Sequence, residues 1–129
     1  MLEWTDPLFC AGHWVPEQVK RAGGVDVLGT AGAVSRVISS RDLERADPQM
    51  VIVAPCGFDL DRAELEARRL RETIPFLATK ELWALDANAL TSRPGPRVVD
   101  GIEVLTRLFA PAVFTTLGPT QARRIHQDQ

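Results

Sequence analysis

Hydrophobic positions along the chain follow two different patterns, which predict helices alternating with strands. Apolar residues at helical spacing predict long helices over 59–72 and 97–109. The apolar positions are Leu60, Ala63, Ala67 and Leu70 in the first, and Val98, Ile102, Leu105 and Phe109 in the second. The continuous apolar run at 50–54 predicts a strand buried on both faces, as in a parallel sheet.

Shorter signals complete this pattern. Residues 2–4 read as the end of a strand, followed by a loop to about residue 14 and a helix over 15–21. Ser39 and Asp42 form a predicted capping box for a helix that ends near 47–48. Segments 25–28, 34–38 and 82–85 read as extended, 86–95 as a long loop, and the last residues as a fraying polar tail.

The alternation predicts an α/β fold. We expect a three-layer sandwich with a mostly parallel central sheet, built by residues 1–129 as a single domain. The 129 residues are 45% hydrophobic and 25% charged, an ordinary globular composition. The net charge of -2 gives no general basic excess, so nucleic acid is not expected as a partner.

Targeting and redox signals are sparse. No apolar run approaches the ~20 residues of a membrane span, and the first residues do not read as a signal peptide, which leaves a cytoplasmic location open. Two cysteines, Cys10 and Cys56, are too few for a disulfide scaffold. We expect both to be buried reduced thiols; a disulfide between them stays open only for an exported protein.

Three loops that follow predicted strands should share one rim, because ligands bind at the carboxyl ends of parallel strands. These loops span 5–14, 55–59 and 88–94 and are rich in aromatic residues with few general acids, which favours holding a bulky, partly apolar ligand. Cys10, His13 and Cys56 lack the spacing and the fourth ligand of a zinc site. Nothing in the sequence fixes Cys10 and His13 as a nucleophile–base pair.

Other candidates have two interpretations each. Arg93 and Arg97 flank a predicted helix start, where guanidinium groups can grip a phosphate or carboxylate or merely pair with surface acids. Trp4, Phe9 and Trp14 are either stacking platforms or core residues, and Asn88 either caps a turn or contacts a ligand.

Several of these segments resemble a known family when taken together. They are residues 3–9 (EWTDPLF), 12–17 (GHWVPE), 22–24 (AGG), 47–48 (DP), 51–59 (VIVAPCGFD), 86–88 (DAN) and 92–101 (SRPGPRVVDG). In this order they are similar to the second lobe of the substrate-binding proteins of ABC importers for vitamin B12 and ferric siderophores, in particular the cobalamin branch.

The resemblance implies one lobe of a two-lobed periplasmic-binding-protein fold, with cobalamin, another corrinoid or a siderophore bound non-catalytically between the lobes. It implies a periplasmic or cell-surface location and no resident cofactor, metal or catalytic residue. The ligand-binding residues it implies are Asp6, Phe9, His13, Trp14, Cys56, Phe58, Asn88 and Arg93. Asp42 or Glu44 would meet arginines of the membrane permease.

The chain also departs from the family. It begins at the lobe boundary, and Leu90 stands where an aromatic residue is common. A lobe that lost its ligand and serves as a structural or interaction module is therefore the alternative function, and a two-fold homodimer would rebuild a cleft from two copies. An enzyme that uses Cys10, His13 or Cys56 is the least favoured alternative.

Overall fold

The computed structural model describes residues 1–113 and 121–127, which form one open sheet with helices packed against it. Its strands are β1 (Leu2–Thr5), β2 (Leu8–Cys10), β3 (Arg36–Val37), β4 (Met50–Val53), β5 (Glu81–Leu85) and β6 (Ala122–Arg124). Its helices are α1 (Val15–Arg21), α2 (Ser40–Ala46), α3 (Leu60–Thr73), α4 (Ala87–Leu90) and α5 (Arg97–Phe109), with a 3-10 helix at Pro75–Thr79.

The strands lie in the order β3-β2-β1-β4-β5-β6. β4 pairs in parallel with β1 and β5, whereas the β1–β2, β2–β3 and β5–β6 pairs are antiparallel. The predicted α/β class is confirmed, and the sheet is mixed: β2 and β6 run against the other strands. The antiparallel hairpin arises because only Asp6 and Pro7 separate β1 from β2, a connection too short for a parallel crossover.

Helices α1 and α5 begin and end where the sequence predicts. α1 covers residues 15–21 with Pro16 in its first turn, and α5 begins at Arg97 and ends at Phe109. The capping box of α2 is present, since the Ser39 hydroxyl accepts from the Asp42 amide and the Asp42 carboxylate accepts from the Ser39 amide. None of the helices in 1–113 and 121–127 is long and apolar enough to cross a bilayer.

Two hydrophobic clusters share strand β4. Val51 and Val53 belong to the cluster that contains the buried face of α3, whereas Ile52 and Ala54 belong to the cluster that contains residues of α1, α4 and α5. Successive residues of a strand point to opposite faces of the sheet, so β4 contributes to both clusters by alternation. The prediction of a strand buried on both faces is confirmed.

Four short segments differ from the sequence-based expectation. β2 lies within the predicted loop 5–14, α4 within the predicted loop 86–95, and β6 within the predicted polar tail. The expected extended piece at 25–28 is not a strand; its first residue, Val25, is 84% exposed. Each of these segments has four residues or fewer, which is too short for periodicity to register.

Candidate functional site

A pocket of about 240 Å³ opens where β4 ends and β1 begins. The two positions coincide because Leu2 of β1 pairs with Val53, the last residue of β4. Its lining includes Glu3, His13, Trp14, Cys56, Thr91 and Ser92. Three separate segments, those after β2, β4 and α4, therefore meet at one edge of the sheet. The first of them reaches this edge through β2, which is antiparallel to β1, and not at the carboxyl end of a parallel strand as expected.

Trp14 ties two of these segments together. Its indole N–H donates a 2.9 Å hydrogen bond to the carbonyl of Thr91, which directly follows α4. The ring is half-buried and lies beside the His13 imidazole, with 5.9 Å between the ring centroids. Trp14 thus lines the pocket and holds its walls together.

His13 has a left-handed backbone conformation, with φ of 56°. Its amide donates to the Ala33 carbonyl at 2.7 Å, and its carbonyl accepts from the Gly32 amide at 2.8 Å. Such a conformation is costly for a residue other than glycine, and it persists where surrounding contacts enforce it. Its side chain is exposed and also lines the pocket.

Cys56 is exposed and free, which corrects the expectation of a buried thiol, whereas Cys10 is free and buried in the core as expected. The backbone amide of Cys56 donates to the Glu3 carbonyl at 3.0 Å, and the next amide, that of Gly57, donates to the Ser92 hydroxyl at 2.9 Å. The loop after β4 is therefore held from both sides, and Cys56 projects from it.

Glu3 is the acidic residue of the pocket lining. One of its carboxylate oxygens accepts from the Gly12 amide at 3.3 Å and the other from the Ser35 hydroxyl at 2.7 Å. Both oxygens already have partners, so this carboxylate serves to join β1 to the loops that precede α1 and β3.

Phe58 lies next to the pocket rather than in its lining. Its ring meets the Trp4 ring in an edge-to-face contact, with 5.2 Å between centroids and an interplanar angle of 70°. The Arg62 guanidinium lies over the Phe58 ring, 3.8 Å from its centroid. The Phe58 ring is therefore in contact with two other side chains of the protein.

Asn88 and Arg93 continue the rim beyond Phe58. The Asn88 amide donates to the Phe58 carbonyl at 3.0 Å, and an Arg93 guanidinium nitrogen reaches the Asn88 side-chain oxygen at 3.5 Å. Both side chains are exposed, so Arg93 presents a cation at this edge of the sheet.

Asp6 and Phe9 belong to the β1–β2 hairpin and do not line the pocket. Asp6 lies in the exposed turn, where its peptide bond to Pro7 is cis. Phe9 is half-buried in β2, opposite Trp4 of β1 and Val37 of β3. Of the eight predicted ligand-binding residues, the pocket therefore gathers His13, Trp14 and Cys56.

The sequence offers Cys10, His13 and Cys56 as weak candidates for the ligands of a metal site. Within residues 1–113 and 121–127, no group of three or more His, Cys, Asp or Glu side chains could hold a metal ion. His13 and Cys56 share the pocket, but Cys10 lies in the hydrophobic cluster that contains α3.

Asp42 and Glu44, the predicted permease contacts, lie on α2. The hydrogen bonds from the backbone and hydroxyl of Ser39 lower the pKa of Asp42 below its usual value. Asp42 is thus part of a helix cap, whereas the Glu44 side chain is simply exposed.

A larger cavity, about 780 Å³, lies at the opposite ends of β4 and β5, where Met50 and Glu81 line it. None of the predicted ligand-binding residues borders it. It shares Met1 and Leu2 with the smaller pocket, and the rest of its lining differs and includes Val25, Leu28 and Phe109.

Gln18 and Ser92 were not among the predicted site residues. Gln18, 1% exposed, donates from its side-chain nitrogen to the Leu90 and Val98 carbonyls and so fixes the segment that carries Thr91 and Ser92. A polar residue beside Val19 on the apolar side of a short helix was the available signal for such a buried role.

No family model, curated protein or solved structure matches the chain. The likeness to B12-type binding proteins therefore rests on the sequence segments alone.

Proposed function

We propose that this chain is a non-catalytic binding lobe for a corrinoid such as cobalamin or, less favoured by the pocket's donors, a ferric siderophore. The observation that carries the proposal is the convergence of His13, Trp14 and Cys56 from two rim loops into one pocket that Thr91 and Ser92 of the third loop also line. We further propose that its two hydrophobic clusters are the helix–sheet interfaces of a three-layer sandwich, one lobe of a two-lobed protein.

The size of the pocket supports a lobe rather than a whole receptor. Sites that enclose a drug-sized ligand measure roughly 300–1,000 Å³, and this pocket measures about 240 Å³. A macrocycle would lie across its mouth with one projecting group inside. A second surface, from another lobe or another copy, would cover the exposed side of the ligand.

The hydrogen bonds of the Glu3 carboxylate in the pocket favour binding without catalysis. The hydrogen bonds that the Glu3 carboxylate accepts come from the Gly12 amide and the Ser35 hydroxyl and connect it to neither Cys56 nor His13. Delivery of the ligand to a membrane permease is part of the proposal, and Glu44, with its exposed carboxylate, is the better of the two predicted contacts.

Equilibrium dialysis against cyanocobalamin, with the mass of the same sample measured by light scattering, tests the function. Binding with a micromolar dissociation constant, weakened in Arg93→Ala and unchanged in Arg45→Ala, would support the proposal. Both arginines are exposed, so neither substitution removes a core contact. A folded sample that binds neither cyanocobalamin nor a ferric siderophore would contradict it.

An interaction module that associates with a second copy of itself is the second candidate. It is favoured by the exposed valines of the edge strand β3 and of the segment that leads into it, namely Val25, Val27, Val34 and Val37. A β-strand edge with apolar neighbours is a ready surface for another chain. Light scattering of the wild type and of Val34→Ser distinguishes the two: a dimer that Val34→Ser dissociates, with no corrinoid binding, favours this function.

A further inference from the structure

His13 is the best-positioned donor at the mouth of the pocket. Hydrogen bonds to Ala33 and from Gly32 hold its backbone on both sides. Its side chain is exposed and lines the pocket, and among the described residues its ring makes no hydrogen bond or ion pair.

The residue before it, Gly12, packs closely against another segment of the chain. A Cβ added at Gly12 would come within 2.4 Å of the Ser35 amide nitrogen and 2.6 Å of the Ala33 carbonyl oxygen. The backbone around Gly12 is therefore packed directly against the 33–35 segment. This close packing fixes the point from which the imidazole projects.

The donors of the pocket suit a metal that is already held by another molecule. His13 and Cys56 are two donors on one pocket, and no third His, Cys, Asp or Glu completes a set among the residues described. A bare ion needs about four such ligands in a protein site. One protein ligand is enough for a metal whose other positions are filled by a chelate.

We propose that a ring nitrogen of His13 coordinates the cobalt of a corrinoid that carries an exchangeable axial ligand; this inference rests on the proposed function. A corrin ring fills the four equatorial positions of Co(III) and leaves two axial ones. The imidazole lone pair forms a Co–N bond, the Co–O bond to axial water breaks, and the water leaves. The oxidation state of cobalt does not change.

Axial coordination by an imidazole also distinguishes corrinoids from ferric siderophores. The iron of a ferric siderophore is enclosed by oxygen donors and offers no comparable axial position to an imidazole. Cys56 is the less suitable ligand, because a thiol must lose its proton before it binds a metal and a neutral imidazole binds directly.

The test uses two corrinoids. Aquocobinamide has an exchangeable axial water, and dicyanocobinamide has both axial positions blocked. We expect the wild-type chain to bind aquocobinamide at least about tenfold more tightly, the ratio that 1.4 kcal/mol provides, and to shift its visible absorption bands. His13→Asn should lose both effects and bind dicyanocobinamide like the wild type. Asparagine is the variant of choice because it tolerates a positive φ.

His126→Asn and Cys56→Ser are the controls. His126 is the second histidine of the chain, exposed and outside this pocket, so its variant should behave like the wild type. Dicyanocobinamide binding with no spectral shift from aquocobinamide would overturn the inference and leave the proposed function intact. A shift that survives His13→Asn and disappears in Cys56→Ser would assign the bond to the thiol and also overturn it. Failure to bind either corrinoid would contradict the proposed function itself.

Discussion

The indole N–H of Trp14 donates a 2.9 Å hydrogen bond to the carbonyl of Thr91, 77 residues further along the chain. The bond joins the loop before α1 to the turn after α4 and closes one side of the pocket. A residue that the sequence presents as either core or stacking platform thus fulfils a structural role at the rim itself.

Trp14→Phe should destabilise the protein modestly. Phenylalanine keeps the aromatic packing but leaves the Thr91 carbonyl without its donor, and a lost hydrogen bond of this kind costs about 1 kcal/mol. Urea unfolding measures the change. Trp83→Phe is the matched control, because its indole donates to the side chain of Glu81 only two residues away. Equal losses in both variants would argue against a special role for the Trp14 bond.

Gln18→Leu should destabilise the protein far more than the small change in side-chain volume suggests. The side-chain nitrogen donates to the Leu90 and Val98 carbonyls at 3.1 and 3.0 Å, and leucine would leave both without this donor. We expect a loss of about 2 kcal/mol or more in the free energy of unfolding. The exposed Gln49 provides the comparison, since Gln49→Leu should change stability by less than about 0.5 kcal/mol. A loss for Gln18→Leu as small as that would contradict the bridging role.

Glu64→Gln should remove part of the pH dependence of stability. The hydrogen bond from Arg123, together with that from Arg68, lowers the pKa of Glu64 below its usual 4.5. The folded state then binds a proton less readily than the unfolded state, so Glu64 stabilises the fold above pH 4.5 and loses this contribution as the pH falls through its lowered pKa.

Urea unfolding of both proteins at neutral and acidic pH measures this effect. The wild type should be more stable than Glu64→Gln at neutral pH, and the difference should shrink below pH 4.5. Glu72→Gln, an exposed position of the same helix, should give no comparable difference. A constant gap between wild type and Glu64→Gln at all pH values would refute the assignment.

Thiol titration should distinguish the two cysteines. Cys56 is exposed, whereas Cys10 is 1% exposed. One thiol should react rapidly with a disulfide reagent in the folded protein and two in denaturant, because a buried thiol is inert until the core opens. Cys56→Ser should abolish the rapid phase and Cys10→Ser should keep it. Rapid reaction of both thiols in the native state would contradict the burial of Cys10.

The sequence identifies long elements well because their signals accumulate over several turns. The helix 59–72 differs from α3 by one residue at each end, and the strand 50–54 corresponds to β4. In contrast, β6 contains two arginines beside Ala122, so neither alternation nor apolar content marks it as a strand. Its pairing with β5 is a tertiary contact that no local pattern encodes.

The candidate site, like the fold, could be predicted from the sequence only in part. Cys56 follows the carboxyl end of the parallel strand β4, as the rule for ligand sites in α/β sheets anticipates. His13 reaches the same edge through β2, which is antiparallel to β1. Phe58 was expected to face a ligand, yet its ring meets Trp4 and Arg62. Which partner an aromatic ring selects depends on neighbours distant in the chain, so residue type and loop position could not decide it.

The two-sided burial of β4 has a consequence for how the protein unfolds. Val53 contributes to one cluster and Ile52, its neighbour, to the other, so loss of this single strand removes support from both at once. A shift of one residue in its pairing would exchange the two sets of side chains. Neither hydrophobic cluster should unfold while the other stays folded. The chain should therefore unfold in one cooperative step.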